Sequence, residues 1–291
     1  MRLELSARPP FSLHQVIHSH GWPQLAPFLW DRASGELRRV ERLATGRVVE
    51  LRFDPTPEGV AVEVDTPLAP VEQAELEAKV DWMLGLGQDF SAFYAATRHE
   101  PKLAQAEALA RGRVLRSATL FEDVLKTIAT TNTTWGGTIR MIDALVRLYG
   151  EPLPADPARR AFPTPERLAA VDTDSLRAEV KLGYRAPYVQ GLAQAVASGA
   201  LDLEALKTGD LPTAELRQRL LAIKGVGGYA AAHLLVILGR YDYVPVDSWA
   251  RSLVAKEWHD GRPVRETEVN AAFEGWGEWR GLAYWCWDWA I

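Results

Sequence analysis

Residues 215–251 read ELRQRLLAIKGVGGYAAAHLLVILGRYDYVPVDSWAR. The apolar spacing predicts a helix over 213–222, a glycine turn at Lys224-Gly225-Val226-Gly227-Gly228, and an apolar helix over 229–238. Glycine lets a backbone turn tightly and lets another molecule approach it closely. The first amides of the following helix have no partner within it, so they can donate to a phosphate. Asp247 follows Tyr229 by eighteen residues and stands just before the helical stretch Ser248-Trp249-Ala250-Arg251. A turn suited to gripping a phosphate backbone, with an acid one helix away, points to chemistry on a nucleotide.

The rest of the chain sets bounds on that reading. At 291 residues it can bury a substantial core and divide into two or three subdomains. Apolar residues make up 47% and charged residues 24%, the balance of a water-soluble globular protein. No apolar run reaches membrane-spanning length and the N-terminus lacks a signal-peptide pattern, so a cytoplasmic, membrane-free monomer is expected. Cys286 is the only cysteine, which excludes an intrachain disulfide, a cysteine-ligated zinc and an iron–sulfur cluster.

The net charge of −5 runs against the basic footprint usual in nucleic-acid binding, but the charge is uneven. Residues 98–140 carry Arg98, Lys102, Arg111, Arg113, Arg116, Lys126 and Arg140 against four acids, an excess of three cations. Residues 215–256 carry the same excess. A compact contact patch with weak non-specific affinity is the expectation.

The pattern changes along the chain. Val40–Leu43, Arg47–Phe53 and Gly59–Val64 cluster β-favouring residues between turn signals, after a short helix near 12–19. From Pro70 onward apolar residues recur at helical spacing, at 71–84, 120–129 and 139–148, with further helices at 165–170, 173–180, 187–198 and 203–206. The Pro-rich stretch 151–160 reads as a linker between helices. The expected class is therefore α+β. An N-terminal antiparallel sheet domain over 1–110 is followed by a mostly helical, two-subdomain body over 111–291, with the helix-hairpin-helix at 213–239.

The segments Ile223-Lys224-Gly225-Val226-Gly227 and Val244-Pro245-Val246-Asp247 together resemble the helix-hairpin-helix base-excision DNA glycosylases. The hairpin of that superfamily reads roughly Leu-Pro-Gly-Val-Gly, and its catalytic Asp follows in a Val-Pro-Val-Asp context. The likeness covers roughly 115–255. The layout also resembles that of the 8-oxoguanine and 3-methyladenine glycosylases, a sheet domain followed by two helical subdomains. The resemblance implies a base-excision repair enzyme that flips a damaged base out of double-stranded DNA and cleaves its N-glycosidic bond. It further implies Asp247 as the catalytic carboxylate; read alone, Asp247 is equally an N-cap for the next helix, and the two roles are compatible. Lys224, Gly225, Val226, Gly227 and Gly228 would contact DNA phosphates. The backbone carbonyls of Leu221, Ile223 and Val226 would hold a monovalent cation, Na or K, and no other cofactor is expected.

Tyr229 stands where bifunctional relatives carry a lysine that attacks the sugar. Tyrosine forms no Schiff base, so a monofunctional enzyme without lyase activity is implied. Tyr229, His233, Trp249, Trp279 and Tyr284 are the candidates for the base pocket, the last two from a C-terminus crowded with Trp276, Trp279, Trp285, Trp287 and Trp289. Core packing accounts for any one of these aromatics as well. Ile128-Ala129-Thr130-Thr131-Asn132-Thr133 and Lys181-Leu182-Gly183-Tyr184-Arg185-Ala186 resemble two segments of the 8-oxoguanine glycosylases. By that likeness Asn132 fills the gap left by the flipped nucleotide, while Tyr184 and Arg185 meet the estranged base. The substrate stays open at this level. The missing lysine suits an alkylated purine of the 3-methyladenine type, and the Asn132 and Tyr184 segments suit 8-oxoguanine or a mismatched base. A non-catalytic helix-hairpin-helix DNA-binding protein is the reading of another class.

Overall fold

The computed structural model describes residues 1–287; Trp289 lies outside the described residues. The chain forms two units, Met1–Gln88 with Arg113–Glu204, and Asp89–Gly112 with Ala205–Ile291. The class is α+β, as the sequence implies. Among the described residues no helix is long and apolar enough to cross a membrane.

The first unit is built on five antiparallel strands, β1 (Arg2–Ser6), β2 (Phe28–Asp31), β3 (Glu36–Arg42), β4 (Val48–Thr56) and β5 (Gly59–Val64), in the order β1-β5-β4-β3-β2. In β4 the alternation of Val49, Leu51 and Phe53 with polar residues puts one face in the core, since side chains of a strand point alternately to either side. The sequence pattern located β4, β5 and the end of β3. It did not locate β1 and β2, strands of only five and four residues. The stretch 151–160 is not a linker but a small hairpin, Pro152–Leu153 against Asp156–Arg160. Leu153 and Ala161 anchor it on Val40, and Arg159 pairs with Glu50 of β4.

Helices fall close to their expected positions. Pro70–Leu84 buries Leu76, Val80, Met83 and Leu84 and ends at Gly85, whose left-handed φ of 61° suits a glycine C-cap. Leu120–Thr130 is capped by the Thr119 hydroxyl and is buried from Leu120 through Ala129.

That burial takes charges with it. Arg39 of β3 places two guanidinium nitrogens 3.0 and 2.6 Å from the two oxygens of Glu122, and its Nε 2.8 Å from Glu41. Lys126 Nζ donates to Glu122 at 2.7 Å, while Arg39 and Lys126 both face the Phe28 ring. Arg39, Glu122 and Lys126 are each at most 1% exposed. Burial pushes the Glu122 carboxyl up, but the charges of Arg39 and Lys126 outweigh it and hold the group down at about 2.

The same burial corrects the charge map. Of the cations counted in 98–140, Arg113, Arg116 and Lys126 are buried. Arg113 is committed to the carbonyls of Arg8, Pro10, Gly85 and Gln88, and Arg116 to the Trp82 carbonyl and ring. These three hold the unit together, so they offer no surface patch for a polyanion.

Replacing Glu122 with Gln takes the carboxylate from buried Lys126 and leaves Arg39 with Glu41 alone. Denaturant unfolding of Glu122→Gln should show a loss of about 3–5 kcal/mol at pH 7. Because the folded carboxyl sits below its unfolded value, its contribution is complete above roughly pH 5. It fades as pH falls toward about 2, so the gap between wild type and variant should narrow in acid.

Candidate active site

In the second unit, Thr213–Leu221 and Gly228–Ile237 are the two helices of the hairpin. The turn closes through Ile223 N–H to the Leu220 carbonyl and Val226 N–H to the Ile223 carbonyl, at 3.1 and 3.0 Å. Gly225 has φ +94°, a conformation side chains resist. Gly227 caps the second helix with no side-chain oxygen, so the first amides of that helix receive nothing from a capping side chain. A Cβ at Gly227 or Gly228 would meet nothing within 4 Å. Those two glycines are therefore not required by internal packing; they leave the backbone open to an approaching molecule. Lys224 is exposed beside them and Val226 is buried beneath.

Asp247 is the N-cap of Ser248–Trp258 and accepts the Ala250 N–H at 2.8 Å. It is half-buried, and burial pushes its carboxyl upward while the N–H groups of Ala250 and Trp249 and the Tyr284 hydroxyl pull it back. The Tyr284 hydroxyl donates to Asp247 Oδ1 at 3.5 Å. On the hairpin's second helix Tyr229 tilts against His233 at 6.0 Å between centroids, and His233 meets Trp285 at 5.3 Å. Burial lowers His233 to about 4, so it is neutral at physiological pH. An aromatic wall of Tyr229, His233 and Trp285 and a carboxylate held by Tyr284 thus belong to one unit. Such a set can stack a planar group and stabilise a positive centre beside it.

The remaining aromatic candidates have other neighbours. Trp279 stacks on Tyr241 and tilts against Phe93, both at 5.6 Å. Trp249 projects from the first turn of the Asp247-capped helix and is 59% exposed. Trp287 packs on Trp258 and Phe273, with Trp276 against it. Trp285 is the residue the sequence did not single out; its neighbours Ala283, Tyr284, Cys286 and Trp287 are also aromatic or apolar, so periodicity gave no face.

In the first unit Asn132 and Tyr184 come together, Nδ2 donating to the phenol oxygen at 3.2 Å. Asn132 has φ +47°, which Asn tolerates better than most residues. Arg185 is buried, donates to the Thr131 and Leu182 carbonyls, and places its guanidinium 4.5 Å over the Tyr184 ring. Tyr184 remains half exposed. The two loops that the sequence singled out separately are therefore one constellation, in which Arg185 fixes Tyr184 from behind. For the hairpin carbonyls, that of Ile223 already accepts Val226 N–H and keeps a second lone pair for an ion. Among the described residues no cluster of three or more His, Cys, Asp or Glu could hold a metal ion.

The family model described as HhH-GPD superfamily base excision DNA repair protein matches residues 125–278. A protein of Methanothermobacter thermautotrophicus described as a probable N-glycosylase/DNA lyase is 28% identical over 224 residues, 70% of each chain. Among solved structures, the 3-methyladenine DNA glycosylase of Archaeoglobus fulgidus aligns with a TM-score of 0.77 at 23% identity, covering 99% of this chain and 97% of that one. The 8-oxoguanine glycosylase/lyase of Clostridium acetobutylicum aligns with a TM-score of 0.73 at 21% identity, covering 95% and 91%. At such identities the structural likeness establishes the fold.

The hairpin glycines separate two demands. Gly225→Ala should cost about 1 kcal/mol or more in thermal or denaturant unfolding, because it strains a left-handed residue. Gly228→Ala should be neutral or stabilising by up to about 1 kcal/mol, since it places a better helix former in open space.

Proposed function

Because the chain belongs to the HhH-GPD superfamily of base excision DNA repair proteins, a family of DNA glycosylases, we propose that it is a monofunctional glycosylase for damaged purines, alkylated ones first. Acting as a monomer on double-stranded DNA, it flips the damaged nucleotide and hydrolyses its N-glycosidic bond. The observation that carries the reading is the set formed by Asp247, Tyr284, Tyr229, His233 and Trp285. It combines a fixed negative charge with aromatic faces, and burial keeps its histidine neutral.

The chemistry follows from that set. An N-alkylated purine carries a positive charge, so it is attracted to π-faces and leaves without a general acid. As the glycosidic bond stretches, positive charge moves onto the sugar. Asp247 lowers the energy of that oxocarbenium-like centre and orients or deprotonates the water that attacks it. The carboxylate must be ionised, so the rate should fall on the acid side as Asp247 takes up a proton. Tyr229 stands where a lysine would be needed for a Schiff base, which supports hydrolysis without strand cleavage. The lyase activity in the description of the Methanothermobacter protein is a property of that relative, and it makes this point the one to test.

The hairpin supplies the grip, with a phosphate received by the amides of Gly227 and Gly228 and the charge of Lys224. A monovalent cation on the carbonyls of Leu221, Ile223 and Val226 would brace the turn and add a positive centre for the phosphate. Asn132 would fill the vacated stack and Tyr184, backed by the buried Arg185, would meet the estranged base. Its likeness to the 8-oxoguanine branch favours 8-oxoguanine as the second substrate reading.

Duplexes bearing 3-methyladenine, hypoxanthine, 8-oxoguanine or mismatched uracil decide the lesion by alkali-dependent cleavage. Release of the alkylated base with strand breaks only after alkali is expected. Breaks without alkali, with borohydride trapping of a covalent adduct, would establish a lyase instead. Asp247→Asn should lower excision at least about a hundredfold while leaving duplex affinity near wild type. Gly228→Ala, though no less stable, should weaken duplex binding, since its methyl stands where the phosphate would come. Equal affinity in a titration would remove the hairpin from the interface.

A further inference from the structure

The C-terminal helix Arg280–Cys286 meets the segment that delivers Asp247 at two points. Gly281 N–H donates to the Tyr241 carbonyl at 2.7 Å. A Cβ at Gly281 would lie 2.8 Å from that same oxygen and closer still to the Tyr243 carbonyl oxygen. Both are backbone atoms, which cannot swing aside as a flexible side chain would. Residue 281 must therefore be glycine for the helix to lie this close to the chain entering Val244-Pro245-Val246-Asp247. One turn on, Tyr284 sets its ring edge-on against Phe273 at 5.7 Å and its hydroxyl 3.5 Å from Asp247 Oδ1. Its neighbour Trp285 reaches His233.

Resting on the reading of Asp247 as the catalytic carboxylate, we propose that Tyr284 is its positioning residue and that Gly281 sets the helix at the height this contact requires. Two donors from different elements, the Ala250 N–H and the Tyr284 hydroxyl, then converge on one carboxylate oxygen. The Tyr284 hydroxyl thereby adds a hold on that oxygen from outside the helix start, which supplies the backbone donors of the cap. Tyr284 is thereby moved from the wall of the base pocket to the support of the acid. Its own surroundings suit a permanent donor. Burial pushes the phenol upward, and the charge of Asp247 and the nearby Tyr229 push it further, so it keeps its proton wherever Asp247 is ionised. Of the titratable groups among the described residues, Tyr229 acts on the Tyr284 phenol, and His233 lies against Tyr229 one turn along its helix.

Tyr284→Phe keeps the ring on Phe273 and removes only the oxygen. With that donor gone, ionised Asp247 is less favoured, so its titration must move to higher pH. In the full-length chain with carbon-13-labelled aspartate, the Asp247 carboxyl should titrate higher in Tyr284→Phe than in wild type. Duplex DNA methylated with dimethyl sulfate serves as the kinetic probe. Single-turnover release of methylpurine should fall about tenfold with binding unchanged, and the acid limb of the rate should move the same way. Gly281→Ala, if it folds, should reproduce the shifted titration. An unchanged Asp247 titration in Tyr284→Phe overturns the proposal whatever the substrate. An unshifted acid limb beside an inactive Asp247→Asn overturns it while leaving Asp247 catalytic. Full excision by Asp247→Asn removes the catalytic reading itself, and the positioning role with it.

Discussion

A carboxylate that closes a helix start has little freedom, and the site described here is organised around that constraint. Asp247 accepts the Ala250 amide of the helix it caps, so the geometry that stabilises the helix also aims the acid. Structural and chemical roles then do not compete. Capping holds the charged form by hydrogen bonds, while partial burial works against it. The outcome is an acid whose proton affinity is raised yet restrained, which suits a group that must be ionised when positive charge appears and must not drift in the meantime. The C-terminal helix adds the second fixed point through Tyr284, at the cost of requiring a glycine at residue 281.

The two units solve the problem of burying charge differently. In the first, Arg39, Glu122 and Lys126 are enclosed completely and satisfy one another, roofed by Phe28. Such an arrangement helps specify how β3 seats the helix Leu120–Thr130, because only when the two elements meet does Arg39 gain both oxygens of Glu122. That helix ends next to Thr131 and Asn132, so the rigidity of the cluster reaches the loop to which Tyr184 is bonded. In the second unit the acid is only half enclosed and the aromatic wall beside it is neutral. A fully paired Asp247 would be stable but chemically inert.

Features resting on local chemistry were legible in the sequence. The glycine turn, the apolar helix after it and the capping acid are each decided by neighbours within four residues, and they stand where the sequence put them. The approximate spans of Pro70–Leu84 and Trp135–Tyr149 followed from apolar spacing for the same reason. Features set by distant partners were not legible. Arg39 and Glu122 are 83 residues apart, so nothing near Lys126 or Arg113 reveals that these cations are buried. The strand Arg2–Ser6 does alternate Leu3 and Leu5 with polar residues and carried a signal that went unread, whereas Phe28–Asp31 reads FLWD, with no alternation to follow. Among the crowded tryptophans, composition could not separate Trp285, which meets His233, from Trp279, which meets Tyr241 and Phe93. The pairing of Asn132 with Tyr184 joins two motifs fifty-two residues apart that the sequence had singled out only one by one.

The central claim is that Asp247 faces the anomeric carbon of an extruded nucleotide. A crystal structure of the chain on duplex DNA carrying a cationic pyrrolidine in place of one sugar tests it most directly, since that ring imitates the charge that develops during cleavage. The pyrrolidine nitrogen is expected within about 4 Å of an Asp247 oxygen, the range of an ion pair, with the hairpin amides on a neighbouring phosphate. A pyrrolidine bound elsewhere, with Asp247 turned into protein and no nucleotide beside it, would contradict the account.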